Sequence, residues 1–159
     1  YKNIRHLGLL DIALTDSDLE TISTNSTLES LTVQSEHITD LGITHLQNLS
    51  RLRSLAIGAA DLNNAGMRSL AEVEMLEELE LQFVNLVSPE SWESLASLAN
   101  FRRLDLRHLH RFDLAGNSVI GLVDDDLKYV AKIPTLSQLL ISGKHLTRQG
   151  LEYLRTAHR

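Results

Sequence analysis

The sequence predicts an α/β fold, a right-handed solenoid bent into an arc or horseshoe, with a parallel sheet lining its concave side and helices covering its convex side. Three observations carry this expectation. An apolar pattern that starts Ile4-x-x-Leu7-x-Leu9 returns as Leu28-x-x-Leu31-x-Val33, at an offset of 24 residues. Within each copy the apolar spacing changes midway, from the alternation of a strand to the three-residue steps of one helical face. Only 4% of the residues are aromatic whereas leucine recurs throughout, so the core is built from aliphatic side chains at repeated positions.

Residues 1–159 are expected to form one domain of six repeats, starting near residues 4, 28, 52, 76, 101 and 136. The first repeat runs on to Leu14, Leu19 and Ile22, and the second to Ile38, Ile43, Leu46 and Leu49. Leu52, Leu55, Ile57, Leu62, Met67, Leu70 and Val73 make the third. Leu76, Leu79, Leu81, Leu86, Trp92, Leu95 and Leu98 make a fourth, one residue longer. The fifth opens with Phe101, Leu104 and Leu106 and resumes at Leu122, Leu127, Val130 and Ile133, leaving an insertion at about 107–121. Leu136, Leu139, Ile141, Leu146, Leu151 and Leu154 make the sixth.

Capping chemistry marks the helix starts: Thr15 with Asp18, Thr39-Asp40, Ser88 before Pro89 and Glu90, and Asp124 ahead of Leu127. The run Asp124-Asp125-Asp126 suits a helix start, where the dipole favours negative charge. Gly42, Gly66 and Gly150 share one repeat position, which indicates close packing between helices rather than a phosphate-cradling loop. One strand–helix unit cannot bury its own apolar face, but stacked copies make a continuous core.

The pattern L-x-x-L-x-L-x-x-x-x-L-T-D-x-G-L-x-x-L-x-x-L resembles the leucine-rich-repeat family over residues 4–154, in particular the helix-containing subclass akin to ribonuclease inhibitor and bacterial repeat proteins. The resemblance implies an interaction module that binds a partner protein, needs no cofactor and performs no chemistry. One position departs from it. The family usually carries Asn or Cys at the ninth repeat position, where this chain has Ile12, Glu36, Ala60, Val84 and Lys144, so the turn is expected to be satisfied by other groups.

A net charge of −6 works against general affinity for nucleic acid or anionic lipid, and no apolar run is long enough to span a bilayer. Without cysteine there is neither a disulfide framework nor a thiolate zinc site, and the compartment is left open. A start at Tyr1 is what a processed protein or part of a larger chain would show. Neither end carries an obvious polar capping repeat, which implies flanking sequence, oligomerisation or an atypical end repeat.

The outward strand positions, taken as columns across the repeats, outline the concave surface. Arg5, Glu29, Arg53, Glu77 and Arg102 alternate in sign in one column, and Glu78 faces Arg103 in the next, as self-pairing surfaces do. A third column differs. It sets Glu80 beside Asp105 with no cation between them, so the two carboxylates should repel and one pKa should rise. Thr32, Ser35, Ala56, Gly58 and Ala59 leave a shallow depression beside this charged wall. The expected contact site is therefore Glu80, Gln82, Phe83, Asp105, Arg107, His108, His110 and Arg111, with Phe83 as the apolar anchor and the insertion beside it.

The competing reading is a ligand- or metal-sensing domain, or a regulatory part of a larger enzyme. His108-x-His110 on a strand would share a face, with Asp105 or Asp113 supplying an oxygen. Glu80 with Asp105 is the only candidate acid/base pair, on an open face that excludes water poorly. Arg102, Arg103, Arg107 and Arg111 form one basic cluster, diluted by Glu77, Glu78, Glu80, Asp105 and Asp113.

Overall fold

The computed structural model describes residues 3–58, 62–83, 88–112 and 118–157. Its strands are β1 (His6–Leu9), β2 (Ser30–Gln34), β3 (Ser54–Gly58), β4 (Glu78–Leu81), β5 (Arg103–Leu106), β6 (His110–Phe112), β7 (Ser118–Ile120) and β8 (Gln138–Ile141). Six of them form a parallel sheet in the order β1-β2-β3-β4-β5-β8, while β6 and β7 form an antiparallel hairpin. The register aligns Leu7, Leu31, Leu55, Leu79, Leu104 and Leu139 in one row across the sheet. At the start of each strand two consecutive N–H groups donate to one carbonyl of the strand before, from Glu29 and Ser30 onto Arg5 to Ser137 and Gln138 onto Arg102.

The second half of each copy is helical: α1 (Asp16–Ser23), α2 (Asp40–Thr44), α3 (Asn64–Leu70), α4 (Asp124–Val130) and α5 (Arg148–Ala157). In the fourth copy it is a 3-10 helix, Pro89–Ser97. The helices pack in the same order as the strands, each against its neighbours. Their inward residues Leu19, Ile43, Met67, Leu95 and Leu127 share one core with Leu31, Leu55, Leu79 and Leu104. Among the described residues no helix covers the other sheet face.

The spacing Thr-Asp-x-Gly at the helix starts has a mechanical cause. Asp16 Oδ1 accepts the N–H of Thr39, Asp40 Oδ1 that of Asn63, Asn64 Oδ1 that of Ser88 and Asp124 Oδ1 that of Thr147, at 2.8 to 2.9 Å. Each unit thus supplies the acceptor for the next unit's cap, an N–H that has no intrahelical partner. The acceptor needs room. A Cβ on Gly42, Gly66 or Gly150 would run into the oxygen of Asp16, Asp40 or Asp124.

Where the preceding acceptor is missing, the glycine position becomes aspartate. Pro89 stands at the acceptor position of the fourth copy, and in the fifth Asp126 Oδ2 accepts the N–H of Val123 at 2.7 Å. Asp18 Oδ2 likewise accepts the N–H of Thr15 at 2.8 Å. These bonds correct two expectations. Val123, not Asp124, caps α4, with Asp124 turned to the next unit. Ser88 does not cap its helix, because its hydroxyl is engaged with Asn64 and Ser91 and its N–H with Asn64.

Two further differences follow from packing. Leu151 was expected in the core, but it is exposed, since among the described helices α5 packs on α4 alone. Leu109, inside the insertion, is buried: the chain leaves β5, sinks one more leucine into the core and only then turns into β6. The insertion closes at Gly121, whose φ of +81° favours glycine, and a Cβ there would strike the Ser142 carbonyl. In the turn after β2, Ser35 satisfies backbone groups, donating to the Leu14 carbonyl at 2.6 Å and accepting from His37 N–H. Ala60 and Val84 lie outside the described residues.

Candidate functional site

Strand alternation turns the even positions of β2 to β4 away from the leucine core, so the open face is a grid of short polar side chains and ion pairs. In its first column Arg5 reaches Glu29 at 3.5 Å, Arg53 pairs with Glu77, and Arg102 Nε lies 3.1 Å from the same Glu77. Two guanidiniums donating to Glu77 hold its carboxyl below the usual carboxylate range. The expected pairing of Glu78 with Arg103 does not form. Glu78 takes Arg102 at 2.9 Å, because Arg103 swings to Asp105.

Asp105 overturns the expectation of repulsion with Glu80. The two are register partners across β4 and β5, yet Asp105 is only 2% exposed and enclosed by arginines. Arg107 Nε and Nη2 donate to its two oxygens at 3.0 and 2.8 Å, Arg107 N–H at 3.2 Å and Arg103 Nη2 at 3.2 Å. Burial pushes the Asp105 carboxyl up, but hydrogen bonds from the Arg107 side chain, the Arg107 backbone and Arg103 outweigh it, and the pKa falls. Both carboxylates stand in the predicted column, but the cations that neutralise Asp105 enter along the strand, two residues away on either side.

Glu80 is half-buried and accepts one hydrogen bond, from Gln82 Nε2 at 2.9 Å. Arg107 feels its charge without forming an ion pair with it. Of the residues expected to leave a depression beside Glu80, Thr32 and Ala56 are partly buried and Gly58 is buried, covered by Gln82 and Gln34. Ser35 is not part of it, being buried against Leu14, and Ala59 lies outside the described residues.

At the C-terminal edge of the sheet Phe83 is 42% exposed, and its ring stacks on His110 with centroids 4.9 Å apart. His110 N–H donates to the Gln82 carbonyl at 2.6 Å, Gly121 N–H to Leu109 at 2.8 Å and the Ser142 hydroxyl to the Arg107 carbonyl. The β6–β7 hairpin is therefore rooted at β4, β5 and β8 together. Arg111 lies on β6, paired with Val119.

The structure separates the two histidines expected to share a strand face. His108 is exposed in the turn after β5, whereas His110 begins β6 and packs on Phe83. Asp105, one proposed third ligand, has both oxygens occupied, and Asp113, the other, lies outside the described residues. Among the described residues no group of three or more His, Asp or Glu side chains comes together as metal ligands do, and no helix is long and apolar enough to cross a membrane. Within the basic cluster Arg102, Arg103 and Arg107 are each engaged by carboxylates.

No protein-family model matches the chain, and no curated protein matches it. Among solved structures, an internalin from Listeria monocytogenes, known from a crystal structure, is similar with a TM-score of 0.46 and 16% sequence identity. The match covers 85% of this chain and 48% of that one, so the chain spans about half that protein's length.

Proposed function

We propose that residues 1–159 form one leucine-rich-repeat domain of the helix-containing subclass, six repeats with an insertion at 107–121, curved into a right-handed arc that binds a partner protein and has no catalytic activity of its own. Right-handed crossover between parallel strands is the strong rule for β–helix–β connections. Glu80, Gln82, Phe83, Asp105, Arg107, His108, His110 and Arg111 make the contact site on the concave sheet and the fifth-repeat hairpin. The supporting observation is the exposed Phe83 ring stacked on His110, where a hairpin rooted in three strands meets the edge of the open face. An aromatic anchor held on a rigid support loses little entropy on binding, and polar groups around it supply orientation.

The test compares partner capture by the native chain and by a Phe83→Ala, His108→Glu variant. Both substituted side chains are exposed, so the fold is left alone, whereas a change at Arg107 would also release buried Asp105. Capture should fall by about tenfold or more, as for a central aromatic anchor. Undiminished capture would move the site to the helical side.

A further inference from the structure

We infer that the concave face recognises a lysine or arginine side chain of its protein partner through Glu80, an inference that rests on the binding role proposed above. Charge complementarity between neighbours supports it. Around Glu80 the other carboxylates of β4 and β5 on this face, and Glu77 just before β4, are already neutralised: Glu77 by Arg53 and Arg102, Glu78 by Arg102, Asp105 by Arg103 and Arg107. Glu80 receives only the neutral amide of Gln82, among the described residues, and its Oε2 takes no donor. Arg107, which feels the charge of Glu80, is tied down by side-chain bonds to both oxygens of buried Asp105.

The surroundings suit a long cationic side chain better than water alone. Ala56 is the register partner of Glu80 on β3, and Thr32 that of Ala56 on β2, so the side chains next to the carboxylate are short and largely aliphatic. Gln34 and Gln82 wall one end across Gly58, where a Cβ would lie 3.3 Å from Gln34 Cγ and 3.2 Å from Gln82 Oε1. Since Gln82 spends its Nε2 on Glu80, its Oε1 remains an acceptor. A methylene stem over Ala56 with its ammonium or guanidinium head on Glu80 Oε2 and Gln82 Oε1 matches both the apolar and the polar part of this surface.

The test uses the full chain and two small probes, Nα-acetyl-arginine amide and its uncharged isostere Nα-acetyl-citrulline amide, titrated while backbone and Gln side-chain amides are followed by NMR. The arginine probe should shift Ala56 and Gln82 saturably with a Kd on the order of 1–10 mM, a single-contact affinity. The citrulline probe should bind about tenfold more weakly or worse, as should the arginine probe to Glu80→Gln, the difference expected for one charge-assisted hydrogen bond. Native shifts elsewhere in Glu80→Gln report that the fold is kept. Equal binding of the two probes, undiminished binding to Glu80→Gln, or no saturable shift on this face each overturns the inference. A parallel partner capture separates it from the broader proposal. If Phe83→Ala, His108→Glu loses the partner and Glu80→Gln keeps it in full, the cationic anchor is wrong and the face still binds. If both variants keep it, the face itself is wrong.

Discussion

Trp92 and Asp126 show how one residue's chemistry answers another's across the stack. The indole Nε1 donates to Asp126 Oδ1 at 3.0 Å inside the core, while Asp126 Oδ2 takes the Val123 N–H. Both jobs exist because Pro89 offers no side-chain acceptor to the fifth unit. Substituting Asp126→Gly, the residue of the second, third and sixth copies, strands two donors, one of them an indole N–H in the buried core. The expected loss is about 2–3 kcal/mol, read as a lower urea midpoint at unchanged slope; an unmoved midpoint would show that the pair contributes nothing net. In the sequence, Asp124-Asp125-Asp126 looks like one acidic run for a helix dipole. In fact Asp124 turns to the next unit, Asp125 is exposed and Asp126 is buried, and the role of Asp126 depends on the residue at the acceptor position of the preceding unit. The same limit hid the enclosure of Asp105: a column of register partners contains Glu80 and Leu140, but the arginines that neutralise it arrive from its own strand and the turn after it.

Among the elements, the strands were the most legible, since a buried leucine row leaves no freedom of register. The 3-10 geometry of Pro89–Ser97 was not, because its apolar residues Trp92 and Leu95 sit three apart, a spacing that serves either helix type. The insertion was legible as apolar and partly packed, but not as a hairpin, since that depends on Leu109 finding the core and on Gly121 bringing the chain back against β8. Gly121 makes the hairpin testable as an element. Its left-handed backbone strains any L side chain, and the Ser142 carbonyl occupies the space of a Cβ. Gly121→Ala should therefore cost roughly 2–4 kcal/mol. The damage should be local first: amide exchange at His110 and Gly121, whose N–H groups bond to Gln82 and Leu109, should accelerate more than exchange in β2 and β3. Uniform acceleration across the sheet would mean that the hairpin root and the stack unfold as one, against this account.

Across the whole molecule, stability is carried from neighbour to neighbour, by the leucine rows on one side and by the chain of aspartate-to-cap bonds on the other. The last link of that second chain, with two carboxylates outside it, makes the stack sensitive to acid. Thr147 donates to Asp124 through both its hydroxyl and its N–H, and these bonds hold the Asp124 carboxyl below its ordinary range. Asp18 is lowered by the Thr15 backbone and side chain, and Glu77 by Arg53 and Arg102. A carboxyl whose pKa is lower folded than unfolded contributes stability that is full above the unfolded value, near pH 4, and is lost as pH falls through the folded one. Stability should thus be flat above about pH 5 and decline steadily below about pH 4. Asp124 lets the effect be assigned to one joint. With Asp124→Asn the Thr147 N–H keeps a carbonyl acceptor but the charge is gone, so at pH 7 amide exchange over Thr147–Ala157 should quicken while β1 to β3 hold. As the pH is lowered, native Asp124 becomes protonated and the two proteins should converge. A gap between them that persists in acid would show that the substitution acts through packing against Gly150 rather than through the charged bond, and would remove Asp124 from the acid response.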